Sequence, residues 1–255
     1  MHPIAFALAS CCGLALCVVL VAKALGNRHE TYVRHLPAGS IVEDEWLLAP
    51  KVRIITTFIL CGLMIAWMVA CGMAYPHTAT LQTATAGFAQ HRPGVGVIGA
   101  TLAGIRMIAD LLVMTYLVAA SGVDLVCHRL PNRTLAIAAM AALIGALASG
   151  TISGFVSSLI GGLGLGLLGL LLRFIAGGGL GMGDIKMLGV IGLWLGRSGL
   201  MAPAWALTIS FLIAGPIVII ALAAKKLSLH DMVAMGPFLT IGAFLAWAAA
   251  AATLA

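Results

Sequence analysis

The sequence predicts an all-α polytopic membrane protein with about eight transmembrane helices. Of its 255 residues, 62% are hydrophobic and only 9% are charged, and the mean hydropathy is +1.13. Soluble domains carry roughly 25% charged residues, so this chain has too few charges to cover a surface in water. At about 20 apolar residues per span, its length allows roughly eight spans with their loops.

Two apolar runs and two polar loops make up the first part of the chain. Residues 3–25 and 54–75 are each long enough to cross a bilayer. The loop at 26–53 combines basic residues with an acidic cluster, and residues 76–94 form a second polar loop. We therefore assign residues 1–104 to an N-terminal part that contains the first two spans.

The rest of the chain contains six further apolar runs. Pro131 disfavours helix at Leu130 and so ends the first of these runs. The glycine segment 177–183 breaks the helix between the third run and the fourth. We predict spans at 105–126, 135–149, 154–175, 185–195, 204–224 and 237–254.

The basic residues predict the orientation in the membrane. Cytoplasmic loops of membrane proteins carry an excess of Lys and Arg. With both termini outside, eleven of the fourteen basic residues lie on the cytoplasmic side, and only Arg92, Arg106 and Arg197 lie outside. This orientation makes 26–53 a short cytoplasmic loop. It also places Asp124 and Asp184 at the cytoplasmic ends of their spans.

Three aspartates, Asp110, Asp124 and Asp184, lie in or beside apolar runs, where an ionisable group is costly and often functional. Asp110 and Asp124 are about 21 Å apart along one predicted helix, so they cannot share a water molecule. We expect Asp110 to form a structural ion pair with Arg106, one turn earlier. Asp124 and Asp184 can instead share one proton around a water, as an aspartic protease requires.

The composition also excludes several classes of function. The net charge is +6, but the basic residues are dispersed and form no dense stripe, so we do not expect nucleic-acid binding. The six cysteines contain no Cys-x-x-Cys pair, which argues against a zinc site. We therefore expect neither a bound metal nor a cofactor, and the predicted surroundings are the lipid bilayer.

Three segments resemble, in order, signatures of the type IV prepilin peptidases, which are aspartyl proteases of the Gly-x-Gly-Asp class. They are Asp124 with Arg129-Leu130-Pro131-Asn132, then Gly181-Met182-Gly183-Asp184-Ile185-Lys186-Met187-Leu188, then Gly236-Pro237-Phe238-Leu239. The resemblance covers about residues 105–254 and makes 105–255 a catalytic membrane core. It implies Asp124 and Asp184 as the catalytic pair. It implies motif-support or substrate-binding roles for Gly181, Gly183, Lys186, Arg129, Pro131, Asn132, Gly236 and Pro237.

The resemblance further implies a substrate and a location. The expected reaction is cleavage of the leader peptide of a type IV prepilin or pseudopilin at the cytoplasmic face. The expected site is the bacterial inner membrane, where a multi-pass enzyme would serve a type IV pilus or a type II secretion system.

One departure from the family pattern concerns methylation. Many bacterial members carry a cytoplasmic domain with paired Cys-x-x-Cys motifs between the first two spans, and that region is linked to N-methylation of the new N-terminus. Here the loop at 26–53 is short and contains no cysteine. We therefore expect peptidase activity without N-methyltransferase activity.

Two alternatives compete with the protease. In an ion- or proton-coupled transporter, Asp124 and Asp184 would be relay carboxylates, but the sequence lacks the inverted repeats typical of that class. A structural assembly subunit is the third possibility. It leaves the two acids at the span ends unexplained.

Overall fold

The computed structural model describes residues 94–175, 180–225 and 233–253. The predicted spans at 3–25 and 54–75 and the loop at 26–53 lie outside the described residues. Within the described ranges, all regular secondary structure is helical, which confirms the all-α class. The helices are α1 Gly94–Cys127, α2 Asn132–Leu147, α3 Ile152–Ile175, α4 Met182–Gly196, α5 Met201–Ala223 and α6 Gly236–Thr253.

The six helices correspond to the six spans predicted for this part of the chain. The largest difference is at α1, which begins at Gly94, about three turns before the predicted start at residue 105. The prediction stopped there because Arg106 and Asp110 interrupt the apolar run. In the structure, Asp110 is buried and forms an ion pair with Arg197. Because its charge is paired, Asp110 is accommodated within α1.

In the part of the chain that the structure describes, three helices are long and apolar enough to cross a membrane. They are α1 over Gly104–Cys127, α3 and α5. Two shorter apolar helices, Asn132–Leu147 and Gly236–Ala250, accompany them. Large apolar side chains such as Leu163, Leu167 and Leu212 are exposed on α3 and α5. Such faces would be unfavourable in water and suit contact with lipid, as expected of a membrane protein.

The short helix α4 lies at the centre of the described helices. It contacts all five of the others, and most of its residues are buried. Trp194, near its C-terminal end, is 1% exposed and stacks on Trp247 of α6 with 6.4 Å between ring centroids. Most residues of α4 are therefore packed against neighbouring helices, whereas Met182 and Lys186 remain exposed.

Glycines bring the backbones of α3 and α4 unusually close together. A Cβ atom on Gly161 would lie 2.6 Å from the carbonyl oxygen of Gly192 and 3.1 Å from Cα of Gly196. Small residues allow such close packing of helices in lipid. The glycine-rich stretch of α3 thus serves, at Gly161, to pack this helix against α4.

The helices are arranged so that several of their ends meet. The C-terminal end of α1 lies near the N-terminal ends of α2, α4 and α6, as the hydrogen bonds of Asp124 and Lys186 show. We call this the carboxylate end of the bundle, because it holds Asp124 and Asp184. At the opposite end, Arg197 follows the last residue of α4 and meets Asp110 of α1.

Candidate active site

Asp124 lies in the last turn of α1 and is 5% exposed. The backbone N–H of Gly236, the first residue of α6, donates a hydrogen bond of 2.9 Å to its Oδ2 atom. A Cβ atom on Gly236 would lie 2.9 Å from that oxygen and 3.2 Å from the Asp124 Cβ. Only glycine allows α6 to begin so close to this carboxylate.

Asp184 lies in the first turn of α4 and is 9% exposed. Its Oδ2 atom accepts a hydrogen bond of 3.3 Å from the backbone N–H of Gly181, the residue that caps the helix. This is the usual contact between the third residue of a helix and its N-cap backbone. The carboxylate is thus oriented by the turn from which α4 starts.

The two carboxylates belong to one site. Asp124 and Asp184 lie close enough to repel each other electrostatically, and both are buried at the carboxylate end of the bundle. Two like charges in a buried place favour a state in which one carboxyl holds a proton and the other is ionised. Such a pair can act as a general base and a general acid on one water molecule.

The loop from 128 to 131 packs against the start of α4. A Cβ atom on Gly183 would lie 2.8 Å from Cβ of Leu130, so this glycine allows the close approach of the loop. Pro131 is buried and caps the N-terminus of α2. The structure thus brings the two sequence motifs that contain these residues into direct contact.

The remaining motif residues are more exposed. Nζ of Lys186 donates a hydrogen bond of 2.7 Å to Oδ1 of Asn132, which joins α4 to the start of α2. Arg129 is exposed in the loop, and Pro237 is partly exposed in the first turn of α6. These residues surround the carboxylate end, whereas the carboxylates themselves are buried.

The structure shows three residues near Asp124 that the sequence did not single out: His128, Ser121 and Thr240. His128 is partly buried and has a positive φ of 49° just after α1. It lies close enough to Asp124 to attract that carboxylate electrostatically. Ser121 and Thr240 join α1 to α6 through a hydrogen bond of 2.5 Å between their hydroxyl oxygens. A polar residue three positions before Asp124 in an apolar run was the available signal.

No group of three His, Cys, Asp or Glu side chains in the described ranges is arranged to hold a metal ion. The candidate chemistry of the site is that of the two carboxylates and the backbone amides beside them.

Comparison with known families decides between the alternatives. The model of the type IV leader peptidase family matches residues 111–254, which is more than half of the chain and includes Asp124, Asp184 and Gly236. The chain belongs to the type IV leader peptidase family. This finding confirms the resemblance drawn from the motifs and favours a peptidase over the transporter and the structural subunit. Searches of curated proteins and of solved structures gave no match.

Asp110 of this chain is separate from the carboxylate pair. Its carboxylate accepts hydrogen bonds from Nη2 of Arg197 and, at 2.8 Å, from Nε1 of Trp194. Arg106 was the predicted partner, but the ion pair that the structure shows is formed with Arg197, 87 residues away along the chain. The structural role predicted for Asp110 agrees with this pairing.

A groove of about 460 Å³ lies between α2, α3 and α4. Its walls are apolar, with Leu135, Leu159 and Leu193 among them, and Lys186 and Asn132 lie at one end. Neither Asp124 nor Asp184 lines it. The groove is therefore distinct from the site of the two carboxylates.

Proposed function

We propose that this leader peptidase is an aspartyl endopeptidase in which Asp124 and Asp184 are the catalytic residues. The observation that carries the proposal is that these two buried carboxylates, from the end of α1 and the start of α4, lie at the same end of the bundle, near enough to interact electrostatically, within the segment that the family model matches. The only other described acid, Asp110, is engaged by Arg197 and Trp194.

The two carboxylates would divide the work of hydrolysis. The ionised one takes a proton from a water molecule, whose oxygen then attacks the carbonyl carbon of the scissile peptide. The protonated one gives its proton to the carbonyl oxygen. When the tetrahedral intermediate collapses, the carbon–nitrogen bond breaks and the amine leaves with a proton from the pair.

The backbone amides beside the carboxylates support this division. Gly236 and Gly181 each donate to the Oδ2 atom of one aspartate. In the proposed complex, this orientation turns the Oδ1 atoms towards the shared water. Both amides belong to the first residues or the cap of a helix, where the helix dipole stabilises negative charge.

The proposed substrate is the leader peptide of a type IV prepilin or pseudopilin, and the proposed place is the cytoplasmic face of the bacterial inner membrane. The charges of the described residues support this orientation. Arg129, Arg133 and Lys186 lie at the carboxylate end, whereas Arg197 lies at the opposite end. An excess of positive charge marks the cytoplasmic side of a multi-pass membrane protein.

A leader-cleavage assay tests the proposal. Membranes that contain the wild-type chain and a type IV prepilin should release the mature pilin, and membranes with the double variant Asp124→Asn/Asp184→Asn should not. Asp44→Asn, which changes an acid of the predicted loop 26–53, is the matched control and should cleave like the wild type. Cleavage by the double variant would overturn the proposal.

A further inference from the structure

A second buried polar cluster links the same two helices that carry the carboxylate pair. Asp110 of α1 is 0% exposed, and the side chain of Arg197, just after α4, is 7% exposed. Both carboxylate oxygens of Asp110 accept hydrogen bonds from Nη2 of Arg197, and Trp194 donates a third. Asp110 lies one residue before the segment that the family model matches.

The ion pair and the two carboxylates of the candidate site are separated by nearly the same axial distance on α1 and on α4. Asp110 and Asp124 are separated by 14 residues on α1, and Asp184 and Arg197 by 13 residues at α4. At about 1.5 Å per residue, the two separations are about 21 Å and about 20 Å. The helices run in opposite directions, because the end of α1 meets the start of α4. When Asp110 meets Arg197 at one end, Asp124 therefore lies level with Asp184 at the other, near enough to interact electrostatically.

Direct packing between α1 and α4 is sparse. Each makes more extensive contact with other helices, α1 with α2 and α6, and α4 with α3 and α2. Apolar burial through third helices has no preferred direction, whereas charge-assisted hydrogen bonds add geometric specificity to a direct contact. The Arg197 side chain is itself confined, since a Cβ atom on Gly145 of α2 would lie 2.8 Å from its Nη1 atom.

We propose that Asp110 and Arg197 are positioning residues that set the axial register of α1 against α4 and thereby the separation of Asp124 from Asp184. An effect of this register on the rate of cleavage rests on the proposed function. Its effect on the separation of the two aspartates does not. Hydrolysis by two carboxylates requires both to reach one water, so a slide of about 1 Å would lower the rate by as much as about a hundredfold.

Two variants distinguish positioning from general stability. Asp110→Asn leaves Arg197 buried without its counter-charge and is expected to be destabilising as well. The double variant Asp110→Leu/Arg197→Met replaces the ion pair with apolar side chains of similar size, a change that often leaves stability intact. It removes the directional contact, and it also leaves the buried Nε1–H of Trp194 without its acceptor, so its folding must be checked by thermal unfolding in detergent. If the pair served stability alone, the folded double variant would keep the wild-type separation of Asp124 from Asp184 even if it melted at a lower temperature.

The first readout is geometric and needs no activity. In a background without native cysteines, Asp124→Cys and Asp184→Cys should form a disulfide readily under mild oxidation. The rate of disulfide formation should fall at least tenfold when Asp110→Leu/Arg197→Met is added. Arg197→Lys keeps the positive charge and should lower that rate less. An unchanged rate in the apolar double variant would overturn the proposal.

The second readout is kinetic. In the leader-cleavage assay, Asp110→Leu/Arg197→Met should lower kcat at least tenfold with KM within about twofold of the wild-type value, because register changes the reacting groups and not the docking of the substrate. If the wild type cleaves and the folded double variant keeps its kcat, the positioning role is wrong. If the wild type cleaves no prepilin but the cross-linking rate falls as stated, the positioning role stands and the proposed function fails.

Discussion

At the scale of single residues, the site depends on glycines that allow segments far apart in the chain to approach each other closely. The backbone N–H of Gly236 donates a hydrogen bond to Asp124 at a place where no larger residue fits. Gly183 packs directly against the side chain of Leu130. The sequence identified these positions only through the motifs that contain them. The reason for each glycine is a contact between segments far apart in the chain, and no local pattern encodes such a contact.

Gly236→Ala should impair catalysis more than folding. The added Cβ would lie 2.9 Å from the Asp124 Oδ2 atom, so the carboxylate or the start of α6 must shift. We expect kcat for leader cleavage to fall by about tenfold or more, because small displacements of reacting groups are costly. Gly215→Ala in α5, where a Cβ meets nothing within 4 Å, is the control and should keep the wild-type rate. Equal rates for the two variants would contradict the role given to Gly236.

At the scale of helices, most of the organisation follows from the sequence. Hydropathy alone placed six spans that correspond to α1 to α6, and Pro131 with the glycines at 177–183 placed two of the breaks. Contacts between side chains of different helices were harder to predict from the sequence. The Asp110–Arg197 pair and the Ser121–Thr240 bond depend on how each helix is rotated and how deep it lies. Residues one turn apart on the same helix, such as Arg106 and Asp110, are the only such neighbours that a sequence shows directly.

The close packing of α3 on α4 leads to opposite predictions for two glycines of α3, Gly161 and Gly164. Gly161→Ala should destabilise the protein, because its Cβ would lie 2.6 Å from the carbonyl oxygen of Gly192. Gly164→Ala meets nothing within 4 Å and should be neutral or stabilising, since Ala favours helix over Gly by about 1 kcal/mol. Thermal unfolding in detergent compares the two variants directly. A higher melting temperature for Gly161→Ala than for Gly164→Ala would contradict the packing.

At the scale of the whole molecule, the orientation in the membrane determines which compartment the carboxylate end faces. Single cysteines in a cysteine-free background test it. Arg129→Cys, at the carboxylate end, should react with an impermeant thiol reagent only from the cytoplasmic side, and Thr151→Cys, in the loop between α2 and α3, only from the outside. Both residues are exposed. The reverse pattern would place the pair away from a cytoplasmic leader.

The short predicted loop at 26–53 leads to a prediction about methylation. A methyltransferase must hold its methyl donor beside an amine, which needs a folded pocket, and a segment below about 40 residues seldom folds without disulfides, metal or partners. We expect the purified protein to cleave prepilin and to leave the new N-terminal amine unmethylated, with or without a methyl donor. Mass spectrometry of the mature product measures this. A donor-dependent gain of one methyl group would contradict it.

The central claim is that Asp124 and Asp184 act as one catalytic unit, and a double-mutant cycle on leader cleavage tests it most directly. The measurement compares the single-turnover rates of the wild type, Asp124→Asn, Asp184→Asn and the double variant, each checked for membrane insertion. Groups that act together are strongly non-additive, so each single variant should lose about as much rate as the double. A single variant that keeps the wild-type rate, or two partial losses that simply multiply in the double variant, would contradict the shared-proton pair.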